Sequence, residues 1–244
     1  IEHEGGHAIV AAVAGSGKTH TMVGRIAHQL AGGVSAKRIL VLMFNKSAQE
    51  DFTGRLSGVC ATKGLRPAEV LTFHAFGLRL ANRMVQWIDW ETVDTVVEYG
   101  PGTGVFTSEI LKSKRPESRF FAVELHSEFA NALNEQYPDV TIIEDSVANI
   151  EAICQQQGVA QIDAIISGLP WAAFSDQDQT VYLDAMMKVL KPGGQLVTFA
   201  YLSGMVLPAA QRFRAKLNRY FGKVEVSPTV WLNFPPAFVY RCWR

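Results

Sequence analysis

The sequence has few cysteines, no excess of charge of either sign and no long apolar run. Its three cysteines, Cys60, Cys154 and Cys242, lie far apart, so we predict neither a disulfide framework nor a thiolate metal site, and no metal is expected. Acidic and basic side chains number 23 each, so no overall field attracts nucleic acid. No stretch of about 18 apolar residues is present, and we therefore expect no transmembrane helix.

The sequence also does not start, at Ile1, with a basic segment followed by an apolar stretch. We therefore expect no secretory signal peptide and a cytoplasmic protein. A hydrophobic content of 48% in 244 residues is typical of a globular chain with a sizeable core.

What the sequence does contain is two glycine-rich turns, each between an apolar segment and a predicted helix. The first, at residues 15–19, follows an apolar run at 7–14, and the second, at 100–104, follows the run 95–99. A nucleotide-binding α/β unit normally begins with such a turn. Two turns therefore predict two units, residues 1–80 and residues 81–244.

The first turn has the chemistry of a P-loop. Gly15 and Gly17 allow backbone N–H groups to turn inward, Lys18 can reach β- and γ-phosphates, and Thr19 can hold a magnesium ion. The pattern departs from G-x-x-x-x-G-K-[ST] at its first position, which is Ala12.

Residues 14–19, 39–48 and 72–77 resemble, in the right order, motifs I, Ia and Ib of UvrD-like superfamily 1 DNA helicases. The acidic Walker B segment and the arginine motifs of that family do not follow Phe76, so we expect no ATP hydrolysis or unwinding. Binding of Mg-ATP by the P-loop remains open. The interpretation we prefer is a truncated P-loop βα fragment, appended by recombination or engineering, whose strands merely pack.

The second unit has the pattern of a complete, mostly parallel sheet covered by helices. Strands are predicted at 95–99, 119–125, 140–145, 162–167, 195–201, 224–231 and 238–243. The clearest helix is predicted at 176–190, where the run Lys191-Pro192-Gly193-Gly194 ends it. Only a turn at 233–236 separates the last two strands, which predicts an antiparallel hairpin.

The second turn lacks a lysine and is therefore suited to a nucleoside rather than to a triphosphate. Glu124 follows Gly104 by 20 residues, the offset at which a carboxylate meets ribose hydroxyls. Asp145 ends the next predicted strand, where it could accept from an adenine amino group or serve as a helix cap. Gly100, Gly102 and Gly104 recur at every second residue, which favours S-adenosylmethionine over NAD and its G-x-G-x-x-G pattern.

Residues 81–244 resemble class I S-adenosylmethionine-dependent methyltransferases, and among them bacterial phospholipid N-methyltransferases, on segments 97–107, 167–171, 190–194 and 231–237. The resemblance implies an α/β fold: a Rossmann-like sheet of seven strands whose last hairpin is antiparallel. In the sequence, this sheet follows the N-terminal P-loop βα fragment. It implies methyl transfer from S-adenosylmethionine to an amine, with the phosphatidylethanolamine head group as the first candidate. The alternatives are an RNA or small-amine methyltransferase, or an ATP- or DNA-binding helicase-derived module whose methyltransferase half is inert.

The resemblance also assigns roles to individual residues. It places Glu98, Gly100, Gly102 and Gly104 at the methionine part of the cofactor, Glu124 at the ribose, and Asp145 and Ser146 at the adenine. It places the segment Ser167-Gly168-Leu169-Pro170-Trp171 at the site of methyl transfer. The related RNA adenine methyltransferases have an asparagine in this last motif, which Ser167-Gly168 lacks, and this weakens an adenine-methylating interpretation. Tyr201, at the end of a predicted strand, is a candidate for orienting the amine or a buried core residue.

A lipid acceptor requires a means of docking on a membrane. The stretch 211–223 alternates basic and aromatic or apolar side chains, which is typical of helices that lie on anionic lipid. A solvated face on a helix that packs against the sheet is the alternative. A second amphipathic stretch, 76–88, occupies the place of a membrane-binding helix in the resembled family. We therefore expect a peripheral protein at the inner face of the membrane, with phospholipid and not nucleic acid as its partner.

Overall fold

The structure is a computed structural model that describes residues 17–43, 45–230 and 236–244, with the backbone only at residues 73–76 and 203. The chain divides into two compact units, Ile1–Phe76 and Gly77–Arg244.

The described part of the first unit is a small parallel α/β arrangement. It contains α1 (Lys18–Ala31), β1 (Leu40–Met43), α2 (Lys46–Thr62), β2 (Glu69–Thr72) and the start of α3 (Phe73–Val85). Strands β1 and β2 pair in parallel. Phe52, Leu56 and Cys60, spaced four residues apart on α2, point to one side and are buried. The predicted strand 7–14 lies outside the described residues.

The second unit is built around a seven-stranded sheet. Its further elements are β3 (Thr95–Tyr99), α4 (Val105–Ser113), β4 (Arg119–Glu124), α5 (Ser127–Gln136), β5 (Thr141–Glu144), α6 (Ile150–Gln156), β6 (Ile162–Ser167), α7 (Asp176–Val189), β7 (Leu190–Tyr201), α8 (Pro208–Tyr220), β8 (Lys223–Val226) and β9 (Ala237–Trp243). The strand order is β5-β4-β3-β6-β7-β9-β8. The first five strands run parallel and β9 is antiparallel to both β7 and β8. The predicted Rossmann-like sheet with an antiparallel last hairpin is confirmed.

The topology places a crevice at the carboxyl ends of the central strands. Strand β3 has β4 on one side and β6 on the other, so the direction of winding reverses there. In open α/β sheets, ligands bind outside the carboxyl ends of the strands at such a switch point. The crevice lies at the end of well-packed strands. All six residues of β6, for example, are buried between two apolar clusters.

Two predicted boundaries in the second unit are wrong. Helix α7 ends at Val189, and β7 begins at Leu190 rather than at 195. The predicted stop becomes an irregularity inside β7: Gly193 has a left-handed φ of 78°, its N–H donates to the carbonyl of Arg244, and the Arg244 N–H donates to the carbonyl of Gly194. Strand β8 ends at Val226 rather than at 231, just before Pro228, which has no N–H to donate to a neighbouring strand.

The two amphipathic stretches direct their apolar sides into the protein. On α8, Ala210, Phe213 and Leu217 are buried against the sheet. Leu80 and Met84 of α3 belong to a buried cluster of the second unit. The apolar face of 211–223 is therefore not available to lipid, and the helix matches the alternative of a solvated face on a packed helix. Among the described residues, no helix combines the length and the apolar character needed to cross a membrane.

Candidate active site

The three glycines of the second turn all adopt the left-handed conformation, with φ of 66° at Gly100, 54° at Gly102 and 79° at Gly104. A Cβ on Gly100 would lie 2.7 Å from Leu169 Cδ2, and one on Gly104 would lie 2.9 Å from Leu133 Cδ2. A Cβ on Gly102 would meet nothing within 4 Å. Gly100 and Gly104 are thus required for packing, whereas Gly102 leaves its backbone open to the crevice.

Gly168, which lies within the predicted segment 167–171, holds the strand ends together. Its N–H donates to the carbonyl of Tyr99 at 2.8 Å. A Cβ on Gly168 would lie 2.6 Å from the carbonyl oxygen of Gly100. The signal in the sequence was its position directly after the apolar run of β6, where a glycine permits the close approach of another backbone.

Glu124 ends β4 and is 4% exposed. Its Oε2 accepts a hydrogen bond from the Gly102 N–H at 3.0 Å, and its Oε1 accepts one from the His126 N–H at 3.0 Å. A carboxylate has further lone pairs on both oxygens. Glu124 can therefore shape the glycine turn and still accept from hydroxyl groups of a ligand.

Glu98 lies on β3 and is completely buried. Its Oε2 accepts a hydrogen bond from Thr107 Oγ1 at 2.7 Å, while its Oε1 has no partner among the described residues. Burial raises the pKa of Glu98 to about 8; the Thr107 hydrogen bonds oppose this rise and the negative charge of Glu124 adds to it. Glu98 is therefore mostly protonated at neutral pH.

Asp145 and Ser146 follow β5 directly. Asp145 Oδ1 accepts hydrogen bonds from the Ser146 N–H at 2.6 Å and from Asn149 Nδ2 at 2.7 Å. Ser146 Oγ accepts from the Ala148 N–H and caps the 3₁₀ helix Val147–Asn149. The capping alternative thus applies to Ser146, with Asp145 bracing the turn, and both residues also face a pocket.

That pocket, which we call the turn pocket, has a volume of about 250 Å³ at the carboxyl ends of β3, β4, β5 and β6. Of the predicted site residues, it brings together Gly100, Gly102, Glu124, Asp145, Ser146, Leu169 and Pro170. Much of the remaining wall consists of Gly168, from the predicted segment 167–171, and of three residues that sequence reasoning missed, Leu125, His126 and Phe129. Glu98, Gly104 and Ser167 do not line it.

A second, larger cavity of about 580 Å³ lies beside the turn pocket, and we call it the aromatic cavity. Predicted residues Leu169, Pro170, Trp171 and Tyr201 line it. The two spaces share the wall formed by residues 168–170. Every residue that lines the aromatic cavity in the described part of the chain is uncharged.

Side-chain hydrogen bonds fix the wall of the aromatic cavity. The Trp171 indole N–H donates to Ser167 Oγ at 3.1 Å, so the completely buried Ser167 hydroxyl supports the wall from behind. Gln179 Nε2 donates to the carbonyl of Trp171 at 2.8 Å. Tyr201 is 42% exposed at the mouth, so it is not a buried core residue, and desolvation raises the pKa of its hydroxyl.

The P-loop is described from its last glycine onward, and Gly15 lies outside the described residues. Gly17 has a φ of 81° and directly precedes α1, whose first residues are Lys18 and Thr19. The P-loop itself stays a prediction, because residues 12–16 lie outside the described part of the chain. Within the described ranges, His, Cys, Asp and Glu side chains form no cluster that could hold a metal ion.

Comparison with known proteins finds a similarity to helicases in the N-terminal part of the chain. The sequence model of the UvrD/REP helicase N-terminal domain matches residues 1–163. The ATP-dependent DNA helicase Rep of Escherichia coli is 33% identical over 84 residues, which is 34% of this chain and 12% of the helicase. The family match extends beyond the predicted 1–80 into residues that form β3 to β6 of the large sheet.

The larger part of the chain matches methyltransferases. The ornithine lipid N-methyltransferase of Singulisphaera acidiphila is 33% identical over 168 residues, which is 67% of this chain and 82% of that protein. The crystal structure of the O-methyltransferase TomG from Streptomyces achromogenes, solved in complex with S-adenosylmethionine, superposes with a TM-score of 0.56 at 15% identity, over 68% of this chain and 79% of that one. The chain therefore belongs to the S-adenosylmethionine-dependent methyltransferases, and its N-terminal part belongs to the UvrD/REP helicase N-terminal domain family.

Proposed function

We propose that the second unit binds S-adenosylmethionine in the turn pocket and transfers a methyl group to the amine of a membrane lipid held in the aromatic cavity. The observation that carries this proposal is the wall at residues 168–170, which belongs to both spaces. A donor on one side of this wall and an acceptor on the other would meet at its edge.

The residues of the turn pocket fit the cofactor. Gly102 leaves room for a ligand against its backbone, and Glu124 retains acceptor capacity for ribose hydroxyls. The unpartnered Oε1 of Glu98 is an orphaned buried polar atom close to the turn, suited to the amino-acid end of the ligand. We propose that Asp145 and Ser146 lie at the adenine.

When bound, S-adenosylmethionine supplies a methyl group already activated by its sulfonium. The chain then has to align an amine lone pair with that group. The uncharged walls of the aromatic cavity disfavour a primary ammonium ion, so the amine enters in its neutral, nucleophilic form and its proton stays with water. We propose that the Tyr201 hydroxyl at the mouth orients the amine.

The lining of the aromatic cavity supports the proposal of a lipid acceptor. A space of about 580 Å³ exceeds what an amine needs, and its apolar walls suit the adjoining hydrocarbon of a lipid. No lysine or arginine lines it among the described residues, which disfavours an RNA acceptor. Phosphatidylethanolamine remains the first candidate, and the relative named for ornithine lipid adds a second amino lipid. We propose that the protein works as a peripheral enzyme on the membrane surface.

The first experiment is calorimetric titration of the whole chain with S-adenosylhomocysteine and, separately, with Mg-ATP. Binding of S-adenosylhomocysteine supports the proposed cofactor site, and binding of Mg-ATP alone overturns it in favour of the P-loop. Radiolabelled methyl transfer is then measured on vesicles that contain phosphatidylethanolamine or ornithine lipid, with ribosomal RNA as a further acceptor. Labelling of RNA and of neither lipid would contradict the acceptor assignment.

A further inference from the structure

The aromatic cavity has an unusual lining for a site that handles an amine. Its aromatic members are Trp171, Phe199, Tyr201, Phe213 and Tyr240. Among the described residues, none of its walls carries a carboxylate that could pair with a positive charge. A cation in this space would have to be stabilised by the faces of the rings.

The five rings form two groups of contacting rings. Trp171 and Phe213 stack with centroids 4.5 Å apart, and Tyr240 meets Phe213 edge-on at 6.4 Å. Phe199 and Tyr201 meet edge-on at 5.4 Å and 77°. Because Trp171, Phe213 and Tyr240 are almost fully buried, the first group forms a fixed floor, whereas Tyr201 reaches the mouth.

The second group lies next to the proposed site of methyl transfer. Thr198 of β7 pairs with Ser167, the last residue of β6. Phe199 and Tyr201 therefore continue past the end of β6, alongside the wall at residues 168–170 that borders the turn pocket.

The first group has a positive charge nearby. Burial raises the pKa of Tyr240, and the nearby Arg214 cation opposes this rise. The Arg214 charge would repel a cation on the side of the first group.

We propose that Phe199 and Tyr201 form a binding site for an alkylated ammonium cation, the class to which a methylated head group belongs. Methyl groups on nitrogen spread the charge and contact apolar walls, whereas a primary ammonium loses hydrogen bonds to water that this cavity does not replace. The ring faces attract the cation more strongly than they attract an uncharged group of the same shape. The position of the cation beside S-adenosylmethionine rests on the proposed function. The binding of an alkylated ammonium by Phe199 and Tyr201 does not.

The test uses three small alcohols on the whole chain without S-adenosylmethionine, of which the first two have the same size and shape and the third is smaller. Choline carries a trimethylated nitrogen, 3,3-dimethylbutan-1-ol replaces that nitrogen by carbon, and ethanolamine carries a primary ammonium. Dissociation constants are measured by ligand-observed NMR titration. We expect choline to bind about tenfold more tightly than either of the other probes.

Variants of one ring separate the aromatic face from the hydroxyl. Tyr201→Phe keeps the face, and we expect it to keep the preference for choline. Tyr201→Leu keeps apolar bulk without the face, and we expect it to reduce the preference to about twofold or less. Tyr220→Leu is the matched control, because the Tyr220 hydroxyl contacts Asp184 and its ring does not line the cavity.

Equal affinities for choline and its carbon analogue, an absence of choline binding, or an unchanged preference in Tyr201→Leu would each overturn this inference. The result is independent of catalysis. A chain that prefers choline but methylates no lipid contradicts the proposed function alone. A chain that methylates lipid without this preference contradicts the ammonium site alone.

Discussion

The backbone N–H of Gly102 donates a hydrogen bond to Oε2 of Glu124 across 3.0 Å, and this contact joins the glycine turn after β3 to the end of β4. The acceptor is a carboxylate that is 4% exposed, and charge-assisted hydrogen bonds of this kind are stronger than neutral ones. One side chain thus both holds the turn in its left-handed geometry and faces the turn pocket.

Glu124→Gln tests this dual role. The NH2 of the glutamine amide cannot accept a hydrogen bond. One of the two backbone N–H donors, at Gly102 or at His126, therefore loses its partner. We expect the free energy of unfolding to fall by about 1–3 kcal/mol, the usual cost of an unsatisfied buried donor. Affinity for S-adenosylhomocysteine should fall at least about tenfold, since an ordinary hydrogen bond to a charged group contributes that much. Denaturant titration and calorimetry measure the two effects.

Glu144→Gln is the matched control, because Glu144 lies directly opposite Glu124 on the neighbouring strand but is exposed and does not line the turn pocket. It should leave both quantities unchanged. Wild-type affinity in Glu124→Gln would show that Glu124 supports the fold and not the ligand.

Gly102→Asp should abolish binding of S-adenosylhomocysteine. The new side chain would enter the turn pocket, and its charge would lie close to that of Glu124, which already contacts the Gly102 N–H. Gly158→Asp is a fair comparison, because Gly158 has a φ of 64° and, like Gly102 at 54°, has nothing within 4 Å of an added Cβ. Both changes carry about 1–2 kcal/mol of backbone strain. Calorimetry that finds equal binding losses in the two variants would refute the placement of Gly102 at the ligand.

The order of elements in the second unit could be predicted from the sequence because local signals coincide there. The bounds of β3 and β6 agree with the prediction, since both are short apolar runs next to a glycine. The start of β7 could not be predicted. Lys191-Pro192-Gly193-Gly194 is typical of a helix stop, and its inclusion in β7 depends on hydrogen bonds to Arg244, which lies 50 residues after Gly194 along the chain.

The lining of the turn pocket could be predicted where it follows strand ends, whereas the aromatic cavity could not be predicted because it depends on packing. Gly102 and Glu124 sit at fixed offsets from their strands, so spacing places them in one crevice. The aromatic cavity combines segments as distant as Leu169 and Tyr240, which no spacing rule connects. The direction of the apolar face of 211–223 was equally hidden, because amphipathicity is the same for a helix that meets lipid and for one that meets a sheet.

The pKa of Glu98 predicts a pH dependence of stability. This pKa is about 8 in the folded protein and about 4.5 in the unfolded chain, so the folded state binds more protons between these values. The contribution of Glu98 to the unfolding free energy is fully present below pH 4.5 and falls as the pH rises to about 8. The slope of this fall is about 1.4 kcal/mol per pH unit. Glu98→Gln, which stays neutral, should flatten this slope in denaturant titrations from pH 5 to pH 8.5.

Glu117→Gln provides the comparison for Glu98, because it removes an exposed carboxylate of the same unit, paired with Arg115 at 3.5 Å. Its stability profile should keep the wild-type slope. An equal slope in wild type and Glu98→Gln would mean that the buried carboxyl is already ionised at pH 5, with a positive group close enough to hold it so.

Gln179 is predicted to position the acceptor wall without touching the acceptor. Its Nε2 donates to the carbonyls of Trp171 at 2.8 Å and Ala209 at 3.2 Å, and so ties the wall of the aromatic cavity to the start of α8. Gln179→Met removes both donors at nearly constant volume. We expect the unfolding free energy to fall by about 1–3 kcal/mol and the KM for the lipid acceptor to rise several-fold.

The affinity of Gln179→Met for S-adenosylhomocysteine should stay at the wild-type value, because Gln179 does not line the turn pocket. Gln177→Met, an exposed change on the same helix, should alter neither KM nor stability. A merely structural role for Gln179 would lower the amount of folded enzyme and its apparent kcat at unchanged KM. A rise in acceptor KM with constant cofactor affinity therefore identifies the two hydrogen bonds as the support that holds Trp171 in place for the acceptor.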